Sequence, residues 1–379
     1  MSRRTAAEGA LPGAGGAGGS GAAPATAERA PRVTIRPAGH WWPRLGSYSL
    51  LLPRRVTLVT GLLVACCTVL GVAALGLGAT HHGVDEVLAA LTGEGSRATR
   101  LVILEWRAPR IVLALAVGAA LGLAGAIFQS ITRNPLGSPD LIGFTVGAQT
   151  GILVGVLFLG SSFISVSLAS LVGGIAVGAV IFALAFRGGF GGLRLILAGI
   201  AVSSMLGAFN RWMILNADID SAYGALRATT GTLSAADWSV AGSSTLGIAA
   251  LTILLLVLAP RLRALELGEE LAASLGSRTK RDQALLVILG TMLVALATVA
   301  AGPIAFVALV APHLARMVTR APVAPLGASG AMGALLLLSA DVASQTLLES
   351  MPVGIVTAAA GGLYFMALLL LQAKTRRGA

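Results

Sequence analysis

The chain has 379 residues, of which 56% are hydrophobic and only 11% charged, with a mean hydropathy of +0.86. A soluble globular protein carries about a quarter charged residues, so a water-facing surface is excluded, and disordered, collagen-like and disulfide-scaffold classes go with it. The net charge of +11 does not mark a nucleic-acid binder, because residues 1–55 alone hold eight Arg against two acids and the other basic residues fall between apolar runs.

Residues 1–40 are rich in Ala, Gly and Pro with scattered Arg, a composition that cannot bury a core. The segment 1–55 is therefore expected to be a disordered Gly/Ala/Arg-rich tail. It does not read as a signal peptide, since no compact apolar stretch follows the first arginine pair and the first apolar run starts near Val56. From there the apolar runs are unbroken, unlike the alternating strands of an outer-membrane barrel. A spanning helix needs about 20 mostly apolar residues. Candidates lie at 56–79, 108–130, 141–159, 166–186, 194–216, 239–259, 284–301, 326–347 and 353–373. A shorter tenth, 303–319, enters directly after Gly302-Pro303. The predicted fold is an all-α polytopic membrane protein with ten transmembrane helices over 56–373 and a short tail at 374–379.

An even number of spans puts both termini on one side. With that side cytoplasmic, the inner segments and adjoining helix ends hold 21 of the 27 Lys and Arg. Arg97, Arg100, Arg107, Arg110, Arg211 and Arg227 fall outside, with Asp85, Glu86, Glu94, Glu105, Asp218, Asp220, Asp237 and Glu349. That asymmetry follows the positive-inside rule. The outer segment 80–107 places Val84, Val87, Leu88 and Leu91 at the spacing of a surface helix. The inner segment 260–283 is densely charged and reads as helical around Leu265, Leu267, Leu271 and Leu275. Ala114, Gly118, Gly122 and Ala126, spaced by four, form a small-residue stripe for close helix packing.

Chemistry-bearing patterns are sparse. Neither Lys280 nor Lys374 sits in a phosphate-binding G-x-x-x-x-G-K-[ST] loop, so any ATP-driven motor is another polypeptide. His81-His82 near Asp85-Glu86 is the one dense group of metal-ligand types, and it reads as a solvated helix start. His313 reads as structural, and Cys66-Cys67 as small apolar residues. No catalytic set and no cofactor are expected. Asp341, the deepest ionisable residue in a span, is expected to be hydrogen-bonded in a structural role; Arg211 lies toward the outer end of the fifth span.

Two inner segments carry more. One runs from Gln129 through Arg133-Asn134-Pro135-Leu136 to Ser138-Pro139-Asp140, where turn-forming pairs fix a rigid hairpin. The other is Leu267-Gly268-Glu269-Glu270-Leu271-Ala272 to Leu275-Gly276, a short helix suited to docking a soluble partner.

With these motifs the chain resembles the permease subunits of bacterial binding-protein-dependent ABC importers for iron–siderophore complexes, haem and vitamin B12. The resemblance rests on Arg107-Ala-Pro-Arg110, Gly118 to Ala126, Gln129, Arg133 to Leu136, Pro139, Gly143, Gly147-Ala148 and Leu197 to Gly199. It continues through Leu267-Gly-Glu, Ala272, Leu275-Gly276, Gly302 to Arg316 and Pro352 to Thr357. The Leu-Gly-Ser-Pro-Asp-Leu-Ile-Gly-Phe-Thr block and Gly361-Gly-Leu-Tyr are most similar to the G-type subunit of ferric enterobactin-class transporters. Relatives carry Arg at the place of Gln345 and Gly-Ala-Pro-Phe-Phe near the C-terminus, where this chain has Gly361-Gly-Leu-Tyr-Phe365.

The resemblance implies a type II ABC importer permease in the bacterial cytoplasmic membrane, moving intact ferric-siderophore complexes. Its implied partners are a second homologous permease subunit, two ATP-binding subunits, an extracytoplasmic siderophore-binding protein and membrane lipid. It further implies docking of the binding protein at Arg107 and Arg110. Coupling to the ATPase would run through Leu267, Gly268, Glu269, Ala272, Leu275 and Gly276, within coupling helices at about 262–280. An inner gate is expected at Asn134, Pro135 and Leu136 and in the glycine-rich loop holding Gly189 and Gly191, where the glycines allow large backbone changes. The alternative class, an ion-coupled secondary transporter, would want several membrane-buried acids, and the sequence offers Asp341.

Overall fold

The computed structural model describes residues 52–377, apart from 79, 161, 187–191 and 349–350, together with positions 40–41, 44–45 and 48–49. Strand β1 (His40–Trp41) pairs antiparallel with β4 (Leu52–Pro53), and β2 (Arg44–Leu45) with β3 (Tyr48–Ser49). The expected tail thus ends in two short pairings, and its remaining residues lie outside the described ones.

Everything after this is helical. In chain order the helices are α1 (Arg54–Gly76), α2 (Val84–Thr92), α3 (Arg97–Arg100), a π-helical stretch Leu101–Arg107, α4 (Ala108–Thr132) and α5 (Pro139–Ile142). Then come α6 (Phe144–Phe158), α7 (Phe163–Phe186), α8 (Gly192–Leu215), α9 (Ile219–Ala228) and α10 (Trp238–Glu266). The last are α11 (Glu269–Ser274), α12 (Thr279–Ala301), α13 (Val307–Thr319), α14 (Leu326–Thr346) and α15 (Val353–Arg377). Among the described residues, α1, α4, α6, α7, α8, α10, α12, α13, α14 and α15 occupy the ten expected spans. Six of the helical runs are long and apolar enough to cross a membrane; α6, α13 and Val353–Ala367 are shorter apolar helices. In hydrocarbon every backbone N–H and C=O must bond internally, so such runs have no alternative to helix. At 1.5 Å per residue, α13 spans only about 20 Å. It starts beyond a tight turn in which Gly302 and Phe306 both take positive φ.

Helix α4 is the hub. It packs against α14, α10, α12 and α13, and is buried along most of its length, including Leu113, Val117, Ala124 and Ile127. The small-residue stripe makes this possible: a side chain at Gly118 would collide with the Gly333 carbonyl, and one at Gly122 with that of Ser329. Without a hydrophobic drive between helices in lipid, such close approach supplies the packing energy. The outward faces of α1, α7 and α10 are apolar, with Leu58, Leu62, Ile164, Leu168, Ile253 and Val257 exposed to the bilayer. Thr232 N donates to Ala301 O (2.7 Å) and Gly354 N to Gly231 O (2.9 Å), so the 229–236 segment pins the end of α12 and the start of α15.

Two differences from the sequence reading matter. The second span is the inner part of a continuous 36-residue helix, Arg97–Thr132, about 54 Å long, which extends beyond a bilayer core of about 30 Å. In α2 the buried positions are Val87 and Ala90, packed with Ile103, while Val84, Leu88 and Leu91 stay exposed.

Candidate functional site

On the outer side, the helix that carries Arg107 and Arg110 is held where it meets the end of α1. Arg107 is buried. Its Nη1 donates to Leu75 O (2.8 Å) and its Nη2 to Thr80 O (2.5 Å) and Thr80 Oγ1 (3.0 Å). The last turn of a helix leaves carbonyls without partners and carries partial negative charge. The Arg107 guanidinium satisfies one of them and ties down the chain beyond it.

Arg110, one turn further in, meets Asp341 on α14. Arg110 Nε lies 3.1 and 3.0 Å from Oδ1 and Oδ2, and Nη2 donates to Oδ1 at 2.8 Å. Gln345 Nε2 also donates to Asp341 Oδ2 at 2.8 Å. The Asp341 side chain is 1% exposed and that of Arg110 18%. Asp341 is hydrogen-bonded, as expected, and its partner is one of the two arginines assigned to docking. Nearby, Trp238 Nε1 donates to Leu104 O (2.8 Å) and joins the start of α10 to the π-helical stretch.

The dense outer group does not close around an ion. His82 Nδ1 pairs with Glu86 Oε2 at 2.7 Å, one helical turn apart. Among the described residues, no three His, Cys, Asp or Glu side chains come together as a metal site.

On the inner side, α10 ends at Glu266 and α11 begins at Glu269. Gly268 between them has φ +117, and Gly276 after α11 has φ +84. These conformations favour glycine, and they turn the short helix across the ends of its neighbours. Ala272 is fully buried, while Leu267, Leu271 and Leu275 are exposed at successive turns. The platform beneath is polar: Arg261 Nη1 donates to Asp282 Oδ1 (3.0 Å) and Ser277 Oγ to Asp282 Oδ2 (2.7 Å).

The Asn134–Gly137 turn lies beside this platform. Leu136 N donates to Asn134 Oδ1 and Gly137 N to Asn134 O, both at 2.9 Å, the self-bonded turn that Asn and Pro favour. Arg133 closes α4 with a positive φ. Thr145 Oγ1 donates to Asp140 Oδ1 at 2.6 Å. Burial pushes the Asp140 carboxyl up to about 6, while the Thr145 hydroxyl and the Phe306 amide pull the other way. Gly189 and Gly191, the other half of the expected gate, lie outside the described residues.

A bundle of apolar helices around one central helix, with a short helix and its exposed leucines at one end, is the architecture of a polytopic membrane protein. The chain belongs to the FecCD transport family, whose description matches residues 65–371. It is 40% identical over 329 residues to the ferric enterobactin transport system permease protein FepG of Escherichia coli K12, covering 86% of this chain and 100% of that protein. It is 36% identical to a siderophore transport system permease protein, YfhA, of Bacillus subtilis 168, covering 78% of this chain and 89% of the relative. Its fold matches a solved inward-facing ABC transporter of metal-chelate type with a TM-score of 0.72 at 28% identity, over 83% of this chain and 99% of the other.

Proposed function

We propose that this chain is the transmembrane permease subunit of an ATP-driven importer that moves intact ferric-siderophore complexes across the bacterial cytoplasmic membrane. The observation that carries this reading is the 40% identity to a ferric enterobactin permease along that protein's whole length. The leucines exposed on and beside α11 support the ATPase coupling: Leu267, Leu271 and Leu275 form an apolar group beside a membrane domain that a soluble partner would cover. The chain itself supplies no phosphate-binding loop, so the two ATP-binding subunits are separate polypeptides. A second, homologous permease completes the translocation path, and the chelate passes by alternating access at their interface. Both termini are cytoplasmic, and the inner gate comprises Asn134, Pro135 and Leu136 with the 187–194 loop. The extracytoplasmic binding protein docks on the rim around Arg107 and Arg110, of which Arg110 keeps part of its side chain at the surface.

Reconstitution tests this directly. The chain, its partner permease, the ATPase and the binding protein are placed in liposomes and supplied with iron-55 ferric enterobactin. Uptake that needs ATP and the binding protein is expected. Uptake without ATP that collapses with a proton or sodium ionophore would instead establish the ion-coupled alternative.

A further inference from the structure

The helices that lead into the gate turn and into the coupling helix, α4 and α10, are far apart in sequence, yet their ends are joined by two hydrogen bonds. Ser130 Oγ, on the last turn of α4, donates to Glu266 Oε1 at 2.7 Å. Arg133 Nη2, in the αL residue that ends α4, donates to Leu265 O at 3.2 Å. Glu266 is the last residue of α10, immediately before the Leu267-Gly268 hinge into α11. Ser130 and Arg133 stand immediately before the Asn134–Gly137 turn. The same two helix ends are thus joined twice, side chain to side chain and side chain to backbone.

The surroundings make this joint the mechanical link. Above it, Ile131, Leu262 and Leu265 are buried and hold α4 against α10. Below it the packing opens into a cavity of about 230 Å³, lined by Arg133, Asn134, Pro135, Glu266, Arg316 and Pro322 among others. Beside this opening, Ser130 and Arg133, just before the gate turn, reach the end of α10 through polar bonds. Displacement of an element is transmitted where it is rigidly attached, and an empty space transmits nothing. On its other flank α11 is anchored by the Arg261–Asp282–Ser277 group. A push on the leucines exposed on and beside α11 is therefore delivered to the end of α10, and the joint passes it to the end of α4.

We propose that Ser130, Glu266 and Arg133 form a clasp that makes the Asn134–Gly137 gate turn follow the coupling helix, so that these are positioning residues for ATP-driven opening. The proposal rests on the importer reading given above. Glu266 acts through its oxygen as acceptor, and Ser130 through its hydroxyl as donor; neither touches the chelate or the nucleotide.

The test uses the complete reconstituted importer with ferric enterobactin as probe and reads the amount of chelate moved per ATP hydrolysed. Ser130→Ala and Glu266→Ala should each lower that ratio about tenfold, the equivalent of one charge-assisted hydrogen bond, while ATP hydrolysis continues. The double variant should be no worse than either single one, because both remove the same bond. Glu266→Gln keeps an acceptor oxygen and should lose only roughly threefold, since a neutral hydrogen bond is weaker. It also keeps the test decisive if an alanine variant fails to assemble. Spin labels at positions 135 and 273, in a chain with both native cysteines replaced by Ser, add a direct readout. Their separation should stay constant through the ATP cycle in the otherwise native chain and vary with Ser130→Ala. An unchanged ratio in Glu266→Gln and the alanine variants, additive losses in the double variant, or a label separation that varies already with Ser130 present would overturn the clasp. Absence of ATP-dependent uptake by the native complex would instead sink the importer reading, which keeps the two failures apart.

Discussion

Arg110 on α4 and Asp341 on α14, 231 residues apart, form a two-pronged ion pair that joins the two helices. Both carboxylate oxygens are engaged, and Gln345 adds a third donor. A buried carboxylate is tolerable only with such full pairing. Asp341→Ala leaves the Arg110 cation without its counter-charge and should cost about 3–5 kcal/mol. The expected readout is a marked fall in thermal midpoint of the detergent-solubilised chain, with less protein in the membrane. The double variant Arg110→Met/Asp341→Leu should recover most of that loss, because two apolar side chains need no partner. A single variant as stable as the native chain would show that the pair does not hold α4 to α14.

This pair also marks the limit of what the sequence discloses. The spans were legible because an apolar run of the right length has one outcome in lipid, and their bounds differ from the observed helices by a few residues at most ends. Helix α10 is an exception: it runs on through Pro260 to Glu266, because Leu262 and Leu265 are buried and Arg261 has Asp282 to bond. The π-helical stretch Leu101–Arg107 left no trace in composition, and the spacing in α2 did not show that Ile103, from another element, covers Val87. Of the candidate site, the short helix α11 and the leucines exposed around it were readable as leucines among charges. The partnership of Arg110 with Asp341, and of Ser130 with Glu266, was not readable, since it depends on which helices are neighbours and at what depth.

Asp140 gives a pH signature. Its carboxyl is raised to about 6 in the folded chain, from an ordinary value of 3.8, chiefly by burial. The folded state therefore favours the protonated form. The stability this confers is complete below pH 3.8 and is lost as pH rises through about 6. Asp140→Asn mimics the protonated group at every pH. At pH 7.5 the variant should have a higher thermal midpoint than the native chain, and the gap should narrow as pH falls from 7 to 5. A gap that is constant over this range would show that Asp140 is not held above its ordinary value.

The leucines exposed on and beside α11 predict an uncoupled variant that inserts normally. Leu271 faces water, so Leu271→Asp costs the isolated chain little. Against an apolar recess on the ATPase it places an unpaired charge, for a loss of about 2 kcal/mol or more. Chelate uptake and capture of the ATPase should fall together, with membrane levels unchanged. Glu269→Arg and Gly276→Arg should also uncouple, but Gly276→Arg adds strain at a backbone with φ +84, so Leu271→Asp is the cleaner measurement. Native ATPase binding by Leu271→Asp would remove α11 from the coupling surface.

The proposed docking role of Arg107 and Arg110 needs a variant that separates recognition from folding. Simple reversal of Arg110 to Glu would set two carboxylates against each other in a buried site, and the chain would fail before docking could be measured. Arg107→Glu would likewise remove the donors that satisfy Leu75 O and Thr80 O. The swap Arg110→Asp/Asp341→Arg keeps an ion pair between α4 and α14 while moving the cation from one helix to the other. If Arg110 meets a carboxylate of the binding protein, its planar fork supplies both the internal and the external bond. The swap should then preserve membrane levels and lower binding-protein affinity and uptake about tenfold at low salt, with a smaller difference at high salt. Restoration by an Arg in place of the facing carboxylate on the binding protein would fix the contact to that pair. Native affinity in a stably inserted swap would leave Arg110 with one task, holding Asp341.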